Sequence, residues 1–170
     1  MPRFEQALER MESKRVYIDT NILIYFFNKE QKYFSLVSRF LQYCASRKIL
    51  GVASELVVAE ILVQPYRERN LDAVAQIKAF FAQKDFLHVS AHPPGFIGES
   101  AILAGERSMK LIDAMHLHTA LSNQCDFFIT HDGNFRSTNA MEVIQIREFV
   151  DDGAGAHSPS QAGKKPSIDK

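Results

Sequence analysis

No apolar run in this 170-residue chain approaches the roughly 18 residues that a membrane-spanning helix needs. The N-terminus, Met1 to Arg15, mixes both charges and lacks an apolar h-region, so it does not read as a secretory signal. Cysteine is scarce. Cys44 and Cys125 are the only two, they lack metal-ligand spacing, and they are expected to be reduced core filler in a cytoplasmic protein. Net charge is missing as well, with 20 basic residues against 20 acidic ones. That excludes attachment to a polyanion by bulk charge alone, although a local basic rim stays compatible with it. There is no internal repeat, no Gly-rich phosphate loop and no Ser-His-Asp arrangement. Asp19-Thr20-Asn21 also lacks the paired aspartates of a phosphoaspartyl phosphatase.

What is present is an ordinary globular composition, 46% hydrophobic and 24% charged, on a chain long enough to bury one core without staples. Periodicity predicts a short amphipathic helix over 3–13 (Phe4, Ala7, Leu8 and Met11 on one face), then a buried strand Val16 to Ile18. Helices follow at Ile22 to Phe27 and Tyr33 to Ser46, and a second strand at Ile49 to Ala53. Ser54 is placed to cap a helix that ends near Gln64, before Pro65. A helix over Leu71 to Gln83 and a strand over Phe86 to Ala91 come next. Pro93-Pro94-Gly95 breaks the chain. Phe96 to Met109 and Ile112 to Asn123 read as helices, and Phe127 to Thr130 and Val143 to Ile146 as the last strands. From Asp151 onward almost nothing can be buried, and a disordered tail is expected. The domain reading is therefore an N-terminal helical extension over 1–14, a folded domain over 15–150 and a tail over 151–170. Strands alternating with helices imply an α/β fold with a mostly parallel five-stranded sheet covered on both faces.

Four carboxylates stand out against this pattern. Asp19 and Asp132 each end an apolar strand, the place where ligands bind in open parallel sheets. Glu60 follows Leu56 and Val57 by four and three residues, on the apolar face of its helix. Asp113 lies in a first turn, where the helix dipole favours an anion. Each has a bland alternative: Asp19 as a helix cap, Glu60 in a surface ion pair with Arg67 or another base, Asp113 as a dipole partner, Asp132 as the opener of an Asp-Gly turn. Together they would repel, at about 4 kcal/mol for a pair roughly 4 Å apart at an effective dielectric of 20. Protonation or a divalent cation must relieve that, and hard oxygen donors select Mg²⁺ or Mn²⁺ over zinc. His116 and His118 point about 200° apart on a helix and do not share a metal easily. His116 is within reach of Asp113, and His131 approaches from the strand end. His88, His92 and His157 read as structural or exposed.

With those residues placed, the chain resembles the PIN-domain family and, within it, the VapC-type toxins of toxin–antitoxin pairs. The matching segments are Tyr17-Ile18-Asp19-Thr20-Asn21-Ile22-Leu23, the Glu60 helix, Ile112-Asp113-Ala114-Met115-His116-Leu117-His118-Thr119-Ala120, and Asp126-Phe127-Phe128-Ile129-Thr130-His131-Asp132. The likeness spans about residues 15 to 147. It implies a PIN-like three-layer sandwich and a metal-dependent endoribonuclease that hydrolyses RNA phosphodiester bonds. Asp19, Glu60, Asp113 and Asp132 would hold one or two Mg²⁺ or Mn²⁺ ions, with Thr20, Asn21 and Thr130 orienting the carboxylates. Lys110 and Arg136 flank site acids and would meet RNA phosphates. The partners it implies are an RNA substrate, an antitoxin protein and a second copy of the chain, with no membrane. The helices at 34–46 and 54–64 are the contact surfaces this implies. The competing reading is a catalytically inactive PIN-like module that binds RNA or protein. A flap-type DNA nuclease fits less well, because no helical arch or DNA-gripping segment is visible.

Overall fold

The computed structural model describes residues 2–83 and 86–150. The tail expected from Asp151 onward, and His157 with it, lies outside them. The elements run α1 (Pro2–Met11), β1 (Arg15–Ile18), α2 (Thr20–Phe27), α3 (Phe34–Ala45), β2 (Leu50–Ser54), α4 (Glu55–Arg67), α5 (Leu71–Phe81), β3 (His88–Ser90), α6 (Phe96–Arg107), α7 (Leu111–Ser122), β4 (Phe127–Thr130) and β5 (Glu142–Gln145). A 3₁₀ turn, Ile146–Phe149, closes the series.

All five strands are parallel, in the order β3-β2-β1-β4-β5. The chain builds outward from β1 to β3 and then crosses to the other side of β1 to lay down β4. Strand order therefore reverses between β1 and β4. Asp19 and Asp132 follow those two strands, and parallel sheets open a crevice at such a point.

Side chains alternate across the sheet. Tyr17 points to one face, where its ring lies 4.9 Å from that of Phe128 and 6.0 Å from that of His116 on α7. Ile18 and Gly51 point to the other, toward Cys44 of α3. The sheet is thus covered on both faces, and the central strands β1, β2 and β4 are mostly apolar. Helix α1 joins the same core through Phe4, Leu8 and Met11, with the Phe4 ring 5.1 Å from that of Phe149. Both cysteines are buried and free. Burial pushes each thiol up to about 12, so they are inert filler, as expected from their spacing.

Two details differ from the periodicity. Helix α4 does not stop before Pro65 but carries it in its last turn and ends at Arg67. The Pro65 carbonyl still accepts the Asn70 amide at 2.9 Å, so the final turn closes despite the missing N–H. The third strand is only His88–Ser90, half of what the apolar run predicted, because it pairs with β2 alone at the sheet edge.

Gly51 is where the packing is tightest. A Cβ there would lie 2.4 Å from Leu87 Cδ2, 3.2 Å from Cys44 Sγ and 3.3 Å from Ile18 Cδ1. Gly51→Ala is expected to overpack the sheet–helix interface and cost about 1–3 kcal/mol, read as a lower urea midpoint with an unchanged m-value.

Candidate active site

The site is assembled from four segments that follow or flank the crevice. Asp19 is the N-cap of α2 and is 5% exposed. Its Oδ1 accepts the Thr20 amide at 2.8 Å; its Oδ2 accepts Asn21 Nδ2 at 2.6 Å and the Thr130 hydroxyl at 2.5 Å. Asn21 is itself locked, because its Oδ1 accepts the His131 amide at 3.0 Å. Capping was one alternative for Asp19, and the structure shows it. Burial outweighs the opposing influence of His116 and these hydrogen bonds, and holds the Asp19 pKa above the ordinary carboxylate range. Among the described residues no lysine or arginine forms a salt bridge with it.

Glu60 projects from α4 with about a third of its side chain exposed. It does not pair with Arg67, which donates to Gln64 instead. Its Oε2 accepts a short hydrogen bond from the Thr20 hydroxyl and another from His116 Nε2 at 3.0 Å. Burial alone would raise its pKa, but the hydrogen bonds from His116 and Thr20 prevail and hold it below the usual value. The expectation that His116 would reach Asp113 is therefore corrected: its ring is turned the other way, to Glu60. The cause lies behind it, where Nδ1 is 2.9 Å from the Tyr17 hydroxyl, which is also 3.0 Å from Ser54 Oγ. Ser54 Oγ already accepts the Val57 amide at the start of α4. A consistent assignment has Ser54 donating to Tyr17, Tyr17 to His116 Nδ1, and His116 Nε2–H to Glu60. The only sign of this buried strut in the sequence is a tyrosine inside an otherwise aliphatic strand.

Asp113, in the first turn of α7, makes no hydrogen bond or salt bridge among the described residues. Burial, then the charge of Asp132, raises its pKa, and Glu60 adds to the effect against Lys110 and His116. Asp132 receives a turn role too: its Oδ1 accepts the Asn134 amide at 2.8 Å, while its own amide donates to Thr130 Oγ1 at 2.9 Å. Thr130 thus links Asp19 to Asp132, as Thr20 links Asp19 to Glu60. His131 leaves the site, its ring packing against Tyr25 and Tyr33 with Nε2 3.1 Å from the Tyr33 hydroxyl. Arg136 donates from one guanidinium nitrogen to the carbonyls of Gly133 and Phe135, stapling the loop after β4. Lys110 is exposed at the N-cap of α7.

The four acids thus share one end of the sheet, three of them joined by two threonines and Asp113 standing beside them without a side-chain hydrogen bond among the described residues. Among the described residues no three His, Cys, Asp or Glu side chains already enclose a metal position; Glu60 is drawn toward His116, and Asp132 toward Asn134. The donor chemistry nevertheless fits a hard divalent cation. Asp19 is a buried carboxylate without a cation, Asp113 is raised by its acidic neighbours, and Glu60 Oε1 and Asp132 Oδ2 have no hydrogen-bond partner among the described residues.

A fold built on a β1/β4 crevice with acids at its lip defines a class, and the comparisons agree with it. Residues 16–140 match the PIN domain family model, and the chain belongs to that family. Solved structures with the same fold include the Mycobacterium tuberculosis VapC20 toxin, described as sarcin-ricin loop cleaving (17% identity, TM-score 0.60, covering 75% of this chain and 98% of that one). VapBC2 from Rickettsia felis, bound to a DNA fragment from its promoter, is similar at 14% identity and TM-score 0.57 (77% and 98% covered). A toxin–antitoxin complex from Klebsiella pneumoniae is similar at 20% identity and TM-score 0.55 (77% and 97%). No curated protein sequence matches the chain.

Proposed function

We propose that this protein is a divalent-metal-dependent endoribonuclease, the toxin of a toxin–antitoxin pair. The observation that carries the reading is Asp19: a buried carboxylate at the strand-order reversal, held by three donors, in no salt bridge with a lysine or arginine among the described residues, and joined through Thr20 and Thr130 to two further acids. Asp19, Glu60, Asp113 and Asp132 would hold Mg²⁺ or Mn²⁺, one or two ions. Such an ion, when bound, activates water and stabilises charge on the phosphate oxygens.

The protein's own residues do the positioning. Thr130 and Asn21 fix the rotamer of Asp19, because both donate to Oδ2, and their hydrogen bonds oppose the effect of burial on its pKa without overcoming it. Thr20 and the Tyr17–His116 strut aim Glu60. The loop after β4, stapled by Arg136, sets where Asp132 stands. The field of the acids repels RNA phosphates, so the reacting strand is drawn in by neighbouring cations and not by the site itself.

The toxin assignment is supported by the VapC and VapBC structures sharing the fold. For an antitoxin, α4 is the better of the two expected surfaces: Val63 and Tyr66 expose about half of their surface, whereas the outer face of α3 is polar, with Arg39 engaged by Glu5. A homodimer and a cytoplasmic location belong to the same proposal. No helix of the described residues is long and apolar enough to cross a membrane.

The test is internal cleavage of RNA by the purified full chain in Mn²⁺ or Mg²⁺, stopped by EDTA. Titration calorimetry should show saturable Mn²⁺ binding, and 1 mM Mn²⁺ at a Kd near 10 µM should raise stability by about 2.7 kcal/mol. Absence of both binding and cleavage would favour the inactive RNA- or protein-binding module, which the engagement of Glu60 by His116 makes the natural second reading.

A further inference from the structure

Beside Asp113 lies a cleft of about 530 Å³ between the α6–α7 junction and the loop after β4. Its lining includes Arg107, Lys110, Asp113, Asn134, Phe135 and Arg136. Three exposed cations converge there on a chain of zero net charge. Among the described residues, the Arg107 and Lys110 side chains form no hydrogen bond or salt bridge. Four cations elsewhere are engaged by carboxylates: Arg10 by Glu142, Lys14 by Asp126, Arg39 by Glu5 and Lys48 by Glu12. Lys110 is also the N-cap of the 12-residue helix α7, where no side chain caps the first-turn amides, so the dipole adds to the positive field. The Asn134 side chain is exposed and makes no hydrogen bond among the described residues; its backbone amide donates to Asp132.

We infer that this cleft seats one nucleotide of a single-stranded RNA, the neighbour of the phosphate that reaches Asp113. Its phosphate lies against Lys110 and Arg107, and its base faces Asn134 beside the apolar wall at Phe135. The volume is that of a small-ligand pocket; it takes one unstacked nucleotide and is too narrow for a duplex. Single-stranded segments are the ones whose base edges a side-chain amide can read. Arg136, already bonded to two loop carbonyls, shapes the wall and leaves phosphate capture to the other two cations. The proposal rests on the ribonuclease reading only for what happens to the phosphate, not for the binding.

The experiment is fluorescence anisotropy with a labelled 12-nucleotide RNA of mixed sequence, the full chain being kept in EDTA so that the strand stays intact. Arg107→Ala/Lys110→Ala should weaken binding about tenfold or more and flatten the salt dependence, log K against log salt, by about 0.7 for the one phosphate no longer neutralised. Arg67→Ala/Arg69→Ala, at the far end of α4, should change neither. Asn134→Ala should narrow the difference in affinity between oligonucleotides of different base composition. Unchanged affinity and slope in the cleft variant would overturn the proposal, as would equal competition by an RNA duplex. Cleavage in Mn²⁺ separates the two readings. A protein that binds through the cleft but never cuts keeps the cleft and loses the ribonuclease. One that cuts with an unchanged KM in the Arg107/Lys110 variant keeps the ribonuclease and loses the cleft.

Discussion

Asp19→Asn is expected to abolish RNA cleavage while leaving the chain folded. Removing residues that merely orient a metal ligand costs about 10–100-fold, so loss of a ligand itself should exceed about 100-fold. The fold should survive because two effects oppose each other. The variant no longer buries a charge, but its new NH₂ meets the Asn21 amide donor, and Asn21 cannot flip without orphaning the His131 amide. One such conflict costs about 1–3 kcal/mol, partly offset by the removed desolvation. Circular dichroism should therefore show a native spectrum and a melting temperature within a few degrees of the parent. Retained cleavage by a folded Asp19→Asn protein would remove the ribonuclease reading.

The same substitution has a pH signature. Asp19 has a raised pKa in the folded chain, so the folded state binds more protons than the unfolded one between the unfolded and folded values. Metal-free stability should fall as pH rises through that window, and this component should vanish in Asp19→Asn. Asp113 acts in the same direction. Glu60 acts oppositely: its lowered pKa contributes stability above the unfolded value that is lost as pH falls through the folded one.

The second large effect is expected at His116, which is 3% exposed. His116→Ala leaves a cavity among Tyr17, Glu60 and the sheet and deprives Glu60 of a donor. A cost of about 3 kcal/mol follows from the lost packing and hydrogen bonds, a fall in Tm of roughly 6–12 °C for a domain of this size. Two conservative variants separate aiming from mere filling. Glutamine carries its amide nitrogen near the place of Nε2 and can still donate to Glu60; asparagine places its polar group near Nδ1 and can serve only Tyr17. Mn²⁺ affinity measured by calorimetry should be largely restored in His116→Gln and stay weak in His116→Asn. Equal affinities in the two would show that the ring only fills space.

The reading of strands and helices from apolar periodicity transferred well because each element buries a face wide enough to leave a pattern. The Phe127–Thr130 run became β4 unchanged, and Val16–Ile18 became β1 with Arg15 added at its start. It failed where the signal was local and the outcome collective. Pro65 reads as a stop, yet the last turn of α4 closes around it because only one amide is lost. His116 was within reach of Asp113 by helical spacing, but a tyrosine hydroxyl on a strand 99 residues earlier decided which way the imidazole turns.

By itself the sequence determined the α/β order of elements, the burial of both cysteines and the placing of Asp19 and Asp132 at strand ends, since these follow from composition and short-range spacing. Tertiary structure alone decided that the chain reverses strand order between those two acids, that threonines tie Asp19 to Glu60 and Asp132, and that a basic cleft opens beside Asp113. Each of these joins residues far apart in the chain through hydrogen bonds or shared space a few ångströms wide. Such contacts have no period along the sequence and arise only when the sheet is assembled.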